Sequence, residues 1–162
     1  PDLTCSSIET PALMLSAGAG LSFQARYDLE YQWDGVVMEI STNNGATWTS
    51  LAPTGGYPAN FAQTTATPIN ACGYPASQGA FGGVTTVASN ANPNNGTAVA
   101  VFKPFAADLS AYAGQTIKLR WRLSSDPGAN FAGFFLDEVR IGNLDIMLRN
   151  GFDQSQYMCT AP

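Results

Sequence analysis

The chain of 162 residues contains no histidine and few charged residues. The absence of histidine excludes Ser-His-Asp and Cys-His catalysis, zinc centres that use imidazole, and the most common general base. Lysine and arginine together number 7, against 12 acidic residues. Because the basic residues form no cluster, we expect neither nucleic acid nor an anionic membrane surface as a partner.

Long hydrophobic runs and helical patterns are also lacking. No run reaches the roughly 18 apolar residues of a membrane helix, so no membrane insertion is expected. The N-terminus shows no signal peptide, and we therefore expect a mature fragment that lacks its signal and a neighbouring domain. No window has sustained helical periodicity, and Ala107–Tyr112 is expected to form a single turn at most. Hydrophobic residues still make up 45% of the chain, enough for the core of one domain.

The clearest positive signal is alternation of apolar and polar residues. It runs through 21–29, 36–41 and 117–123, and shorter strands are expected at 12–15 and 97–102. Asn43-Asn44-Gly45 tolerates the positive φ angles of a tight hairpin, so Trp48–Leu51 should return antiparallel. Short strands without crossover helices predict an antiparallel two-sheet sandwich. The predicted core consists of Phe23, Tyr27, Val36, Met38, Ile40, Leu119, Trp121, Leu123, Phe135, Val139 and Ile141.

The segment 52–97 has a different composition, rich in Gly, Pro, Ala, Asn and Thr. A long irregular segment inside a domain is often functional. The alternative is a surface excursion with short strands that is held in place by its aromatic residues. Those residues include Tyr57, Phe61, Tyr74 and Phe81.

Four phrases, in order, resemble a known family. Leu21–Glu30 ends an apolar strand in Glu, Asp34-Gly35 opens the next strand, and Gly45-Ala-Thr-Trp48 follows the turn. The fourth is the stretch 108–141, DLSAYAGQTIKLRWRLSSDPGANFAGFFLDEVRI. Together they resemble the MAM-like jelly-roll modules of extracellular proteins, which are often attached to bacterial secreted peptidases. Phe134 stands where that family usually has Trp, and Glu138 replaces the second Asp of its closing pair.

The resemblance implies an all-β, antiparallel two-sheet jelly-roll sandwich, MAM-like or galactose-binding-like. We expect one domain over 1–144, with a C-terminal strand or tail, 145–162, packed on it. The implied function is a non-catalytic accessory module of a secreted bacterial protein, a peptidase by the family's context. It would serve surface or substrate binding or folding support. Its partners would be a catalytic domain of the same polypeptide and a cell-surface glycan or protein.

Four acids are candidate ligands of a structural calcium ion. Glu30 ends one strand and Asp34 opens the next, Asp126 closes the strand 117–125, and Asp137 lies early in the following strand. Calcium takes six to eight oxygen ligands, and related jelly rolls often use an acid of the closing strand. Asp137 is also expected on an apolar strand face, which is costly for an unpaired carboxylate. Turn chemistry for Glu30 and Asp34, and backbone hydrogen bonds or an arginine for Asp137, are the alternatives, and Glu9 is a further candidate ligand.

Two other functions remain open from the sequence. A carbohydrate-binding module would present exposed aromatic residues, and Trp33 and Tyr31, in an expected turn, are the candidates for ligand binding; Trp48 and Trp121 are expected in the core. A small carboxylate-dependent hydrolase needs only Asp and Glu.

The three cysteines, Cys5, Cys72 and Cys159, match no zinc or thioredoxin motif. The edge strands of a jelly roll often bring the termini together, so a Cys5–Cys159 disulfide is the first choice. Cys5–Cys72 is the next choice, and three reduced thiols are the remaining alternative.

Overall fold

The computed structural model describes residues 3–62, 70–93 and 98–143. Its regular structure there is almost entirely β-strand, with one 3-10 turn at Ser110–Tyr112, where a single turn was predicted. The strands are β1 (Cys5–Glu9), β2 (Leu13–Met14), β3 (Ala19–Asp28), β4 (Gly35–Ser41), β5 (Thr49–Ser50), β6 (Ala59–Asn60), β7 (Gly79–Ala80), β8 (Lys103–Asp108), β9 (Thr116–Ser124) and β10 (Gly133–Asn143).

The strands form two main antiparallel sheets. The first has the order β1-β9-β4-β5, with β2 also paired to β9, and the second has the order β10-β3-β8. A small pair, β6-β7, forms a third sheet. The prediction of an all-β, antiparallel fold is therefore confirmed, whereas the jelly-roll order and the tail 145–162, which lies outside the described residues, stay predictions.

The core lies between the two sheets. Phe23 of β3 meets Trp121 of β9 edge-on, with ring centroids 5.4 Å apart. On β9 the alternation holds, because Ile117, Leu119 and Trp121 are buried between more exposed polar neighbours. Seven predicted core residues are fully buried: Phe23, Tyr27, Val36, Met38, Ile40, Leu119 and Trp121. Leu123 and Ile141 are partly buried and pack against this core.

Phe135 and Val139 were wrongly predicted as core, since they are 40% and 39% exposed. Phe135 faces outward because it pairs with Arg26, on the outward face of β3. Val139 lies in a β-bulge: Asp137 pairs with Gln24 and Arg140 with Ser22, so β10 has one residue more than β3 over this interval. An extra residue reverses which face the following side chains occupy. Phe134 and Leu136 pack against the core before the bulge, and Ile141 does so after it.

The other local predictions differ in outcome. The hairpin is confirmed: Asn44 and Gly45 have φ of 58° and 92°, and β5 returns antiparallel to β4.

The strand expected at 97–102 lies instead at β8, and the described residues 98–102 contain no strand. β8 is an edge strand, where Pro104 is tolerated because one side of the ladder is unpaired. The strand expected at 12–15 is the two-residue β2, and β1 was not predicted.

The described parts of 52–97 form a surface excursion held by aromatic residues. Phe61 and Phe81 are 1% and 0% exposed, and Phe81 belongs to the main core. The Tyr57 hydroxyl lies 2.9 Å from the Leu51 carbonyl oxygen and accepts the Met38 N–H at 3.0 Å. The aromatic side chains therefore attach this segment to the sandwich.

The disulfide joins Cys5 to Cys72, with Cα atoms 5.1 Å apart. The first-choice pairing, Cys5–Cys159, is thus wrong, and Cys159 lies outside the described residues. Ser124 of β9 explains the observed pairing, since it lies opposite Cys5 in the ladder while its Oγ accepts the Cys72 N–H at 2.9 Å. The bond fixes β1 and the 70–73 turn over the same end of β9.

Candidate metal centre

The connection between β3 and β4 carries two of the predicted acids. The Glu30 carbonyl accepts the N–H groups of Trp33 and Asp34 at 3.1 and 2.9 Å. Gln32, inside the turn, has a φ of 70°, the left-handed conformation that a tight reversal uses. The turn thereby holds Glu30 and Asp34 at the same end of the sandwich.

Asp126 reaches the same end from β9. Ser124 pairs with Gly35 in the antiparallel ladder, so the residues after β9 lie beside the start of β4. The Asp126 N–H donates to Asp34 Oδ1 at 3.1 Å. One carboxylate oxygen from each of Glu30, Asp34 and Asp126 lies within 4.8 Å of the other two. The structure thus brings together three of the four predicted ligands, which we call the acid cluster.

The loop after Asp126 closes over the acid cluster. The Gly128 N–H donates to Asp126 Oδ1 at 2.6 Å, and the Ala129 N–H donates to Glu30 Oε2 at 3.0 Å. A Cβ atom at position 128 would lie 2.7 Å from Asp126 Oδ1 and 2.8 Å from Glu30 Oε2. A side chain at position 128 would therefore displace both carboxylates from their present positions. The sequence prediction missed this backbone contribution, although Asp126-Pro127-Gly128 is a recognisable turn signal.

Asp34 has a perturbed carboxyl group. It is 8% exposed, and burial is the main reason that its pKa is raised to about 6. The neighbouring carboxylates of Asp126 and Glu30 raise the pKa further, while the hydrogen bond from the Asp126 N–H opposes the shift. Three acids this close repel one another, and a divalent cation would remove that repulsion.

The donor chemistry fits a hard cation. Every side chain of the acid cluster offers oxygen, and one oxygen of each already accepts a backbone N–H. The other carboxylate oxygens can face a cation, with carbonyl groups and water completing the six to eight ligands of calcium. Asp34 also lines a cavity of about 40 Å³ together with Ser125 and Asn130. That cavity is large enough for a water molecule.

Asp137, the fourth predicted ligand, lies elsewhere. It is exposed on β10 opposite Gln24, and its Oδ1 accepts the Glu138 N–H at 2.7 Å. The structure therefore agrees with the alternative of a backbone hydrogen bond. Glu9 is also outside the acid cluster, since its carboxylate pairs with Lys118 at 3.1 Å, and this contact lowers the pKa of Glu9.

The aromatic candidates have mixed positions. Tyr31 and Trp33 lie in the β3–β4 turn and are half-buried, and the Tyr31 ring packs close to Gly83. Trp121 is in the core as predicted. Trp48 is not in the core: it is half-buried, and the Arg120 guanidinium lies 4.1 Å from the centre of its ring.

No protein-family model matches the chain, and no curated protein matches it. Across 3–62, 70–93 and 98–143 there is no helix with the length and apolar character needed to cross a membrane.

Proposed function

We propose that this chain is a non-catalytic accessory β-sandwich module of a secreted bacterial protein, a peptidase by family resemblance, with a structural calcium ion in the acid cluster. Its role is surface or substrate binding, or folding support for a catalytic domain of the same polypeptide. The observation that carries the proposal is the acid cluster, which joins two separate connections of the sandwich. Glu30 and Asp34 lie between β3 and β4, and Asp126 lies between β9 and β10.

A bound cation at this position stabilises the fold. It would link the end of β3, in one sheet, to the end of β9, in the other. When bound, calcium supplies charge neutralisation and fixed oxygen coordination. Asp34 would hold it from the buried side, and the backbone N–H groups of Gly128 and Ala129 would keep Asp126 and Glu30 oriented.

Two further observations support this function over a hydrolase and favour an extracellular location. The reactive carboxyl of a hydrolase must reach its substrate, but Asp34 is 8% exposed. The Cys5–Cys72 disulfide is typical of proteins in oxidising compartments. Both fit a stable secreted domain whose acids serve structure.

Thermal unfolding with and without calcium tests the proposal. A ligand that binds only the folded state at a hundredfold excess over its Kd stabilises that state by about 2.7 kcal/mol. For a domain of this size we expect calcium to raise Tm by about 5–11 °C over the value in chelator. Asp34→Asn and Asp126→Asn should remove most of this increase, because each deletes a charged oxygen ligand.

Asp137→Asn is the matched control. It makes the same chemical change at an exposed acid outside the acid cluster, so the calcium-dependent rise in Tm should persist. A Tm that is equal in chelator and in millimolar calcium rejects the metal site. A rise that disappears in Asp137→Asn but persists in Asp126→Asn would place the ion elsewhere.

A further inference from the structure

The outer face of the β10-β3-β8 sheet carries an arginine between two exposed aromatic rings. Arg26 of β3 lies directly opposite Phe135 of β10. Its guanidinium carbon is 4.3 Å from the centre of the Phe135 ring and 5.6 Å from that of Phe102. Phe135 is 40% exposed and Phe102 is 47% exposed. Both rings therefore lie on the solvent side of the sheet, where burial in the core does not explain them.

The two aromatic rings contact the Arg26 guanidinium. Its buried Nε has no hydrogen-bond partner in the described part of the chain. The salt bridges found among the described residues are Lys118–Glu9, Arg120–Glu39 and Arg140–Glu138, and none includes Arg26. A guanidinium stacked on aromatic rings keeps its planar fork in one orientation, ready to donate to oxygen atoms of a ligand.

The next cross-strand pair on the same face of the sheet is polar. Gln24 lies opposite Asp137, two residues and about 7 Å along the strands from the Arg26–Phe135 pair. Side chains two residues apart on a strand share a face, so Gln24 lies on the same side as Arg26. At the bulge, Glu138 and Arg140 form an ion pair at 3.1 Å. The two cross-strand pairs thus combine aromatic surface with one cation, one anion and one amide.

We propose that this face, made of Arg26, Phe102, Phe135, Gln24 and Asp137, binds a neutral carbohydrate chain. A sugar presents an apolar C–H face that packs on aromatic rings, together with hydroxyl groups that both donate and accept hydrogen bonds. Arg26 can only donate, the Asp137 carboxylate can only accept, and the Gln24 amide does both. Asp28 shares this face of β3 with Arg26, so the acids Asp28 and Asp137 outnumber the one cation of the face. The face therefore favours an uncharged, hydroxyl-rich ligand over an acidic one.

This site deepens the binding role proposed above by naming a ligand class, and it is independent of the cation. It also differs from the turn that holds Tyr31 and Trp33, the aromatic residues favoured by the sequence. The register of β10 on β3 creates the site, because Phe135 and Asp137 pair with Arg26 and Gln24 of the outward face.

Native affinity electrophoresis tests the proposal. The probes are three neutral polysaccharides (mixed-linkage β-glucan, galactomannan and amylose) and the acidic polygalacturonate, each in calcium and in chelator. We expect at least one neutral probe to retard the protein under both conditions. Phe135→Ala and Phe102→Ala should each weaken that retardation roughly tenfold, since each removes an aromatic contact surface. Unchanged Tm values would show that these exposed positions still fold.

Phe131→Ala and Trp33→Ala are the matched controls. Phe131 is 39% exposed, nearly the same fraction as Phe135, but it does not belong to the proposed face. Both variants should bind like the unmodified chain. The proposal is overturned if no neutral probe retards the protein, if only polygalacturonate does, or if binding is lost in Trp33→Ala and kept in Phe135→Ala. A calcium-dependent Tm without any retardation would reject the carbohydrate site alone and leave the structural module intact.

Discussion

β9 and β10 follow each other in the chain, carry similar apolar content, and differ in how the sheets hold them. β9 is paired along both edges, with β1 and β2 on one side and β4 on the other. β10 pairs with β3, and the described residues place no strand on its other edge. The alternation of β9 runs without interruption, whereas β10 contains a bulge. A strand constrained on two sides keeps its register, and a strand constrained on one side can accommodate an extra residue.

The largest expected difference between these strands is in core packing. Trp121→Ala on β9 should lower the free energy of unfolding by about 3–5 kcal/mol, because it empties a buried site against Phe23. Phe135→Ala on β10 should lower it by about 1 kcal/mol or less, since that ring contributes mainly a contact with Arg26. Urea unfolding of both variants measures the two values. Equal losses would mean that β10 presents Phe135 to the core after all.

The next difference is covalent. The Cys5–Cys72 bond closes a loop with a sequence separation of 67 and fixes β1 beside β9. The chain-entropy relation gives a loss of about 4 kcal/mol when such a bond is removed. Cys72→Ser should therefore destabilise the protein strongly in urea unfolding without reductant, and Cys159→Ser should have little effect. The reverse result would restore the pairing of Cys5 with Cys159 that the sequence suggested.

The smallest effect concerns the bulge itself. Glu138 has a φ of 49°, a left-handed conformation that costs a non-glycine residue about 1–2 kcal/mol. Glu138→Gly should thus stabilise the protein by about 0.5–1 kcal/mol, after allowing for the greater freedom of glycine in the unfolded chain. Lys118→Gly, at a regular position of β9, should destabilise it by about 1 kcal/mol. Destabilisation by both changes would argue that β10 has no strained residue at the bulge.

This contrast explains how much of the fold could be predicted. Alternation is decisive on β3 and β9, where polar residues separate the apolar ones and one face is buried. On β4 every residue is buried, because the segment with Phe61 and Tyr74 covers its second face. On β10, Phe134, Phe135 and Leu136 are consecutive, so the pattern does not determine which face is inside. The bulge between Asp137 and Arg140 then changes which face of the sheet the following side chains occupy. No residue type in the sequence predicts this bulge.

The acid cluster also has a part that the sequence predicts and a part that it does not. Glu30, Asp34 and Asp126 lie in connections next to paired strand ends, so strand order brings them together as predicted. Asp137 was assigned from its position within a strand, and the assignment depended on the uncertain face of β10. The N–H groups of Gly128 and Ala129 could not be predicted from residue chemistry, because they depend on the path of the loop backbone.

The disulfide also determines how the domain would carry mechanical tension. When the chain is pulled from its two ends, force that enters at the N-terminus crosses from Cys5 to Cys72 through the sulfur atoms. The segment between them, which contains β3 and β4, is bypassed and cannot be drawn out. With 67 residues of separation, about 220–240 Å of extended chain is withheld. β9 and β10 lie on the loaded path, so under tension they would be stripped from partners that remain closed in a covalent loop.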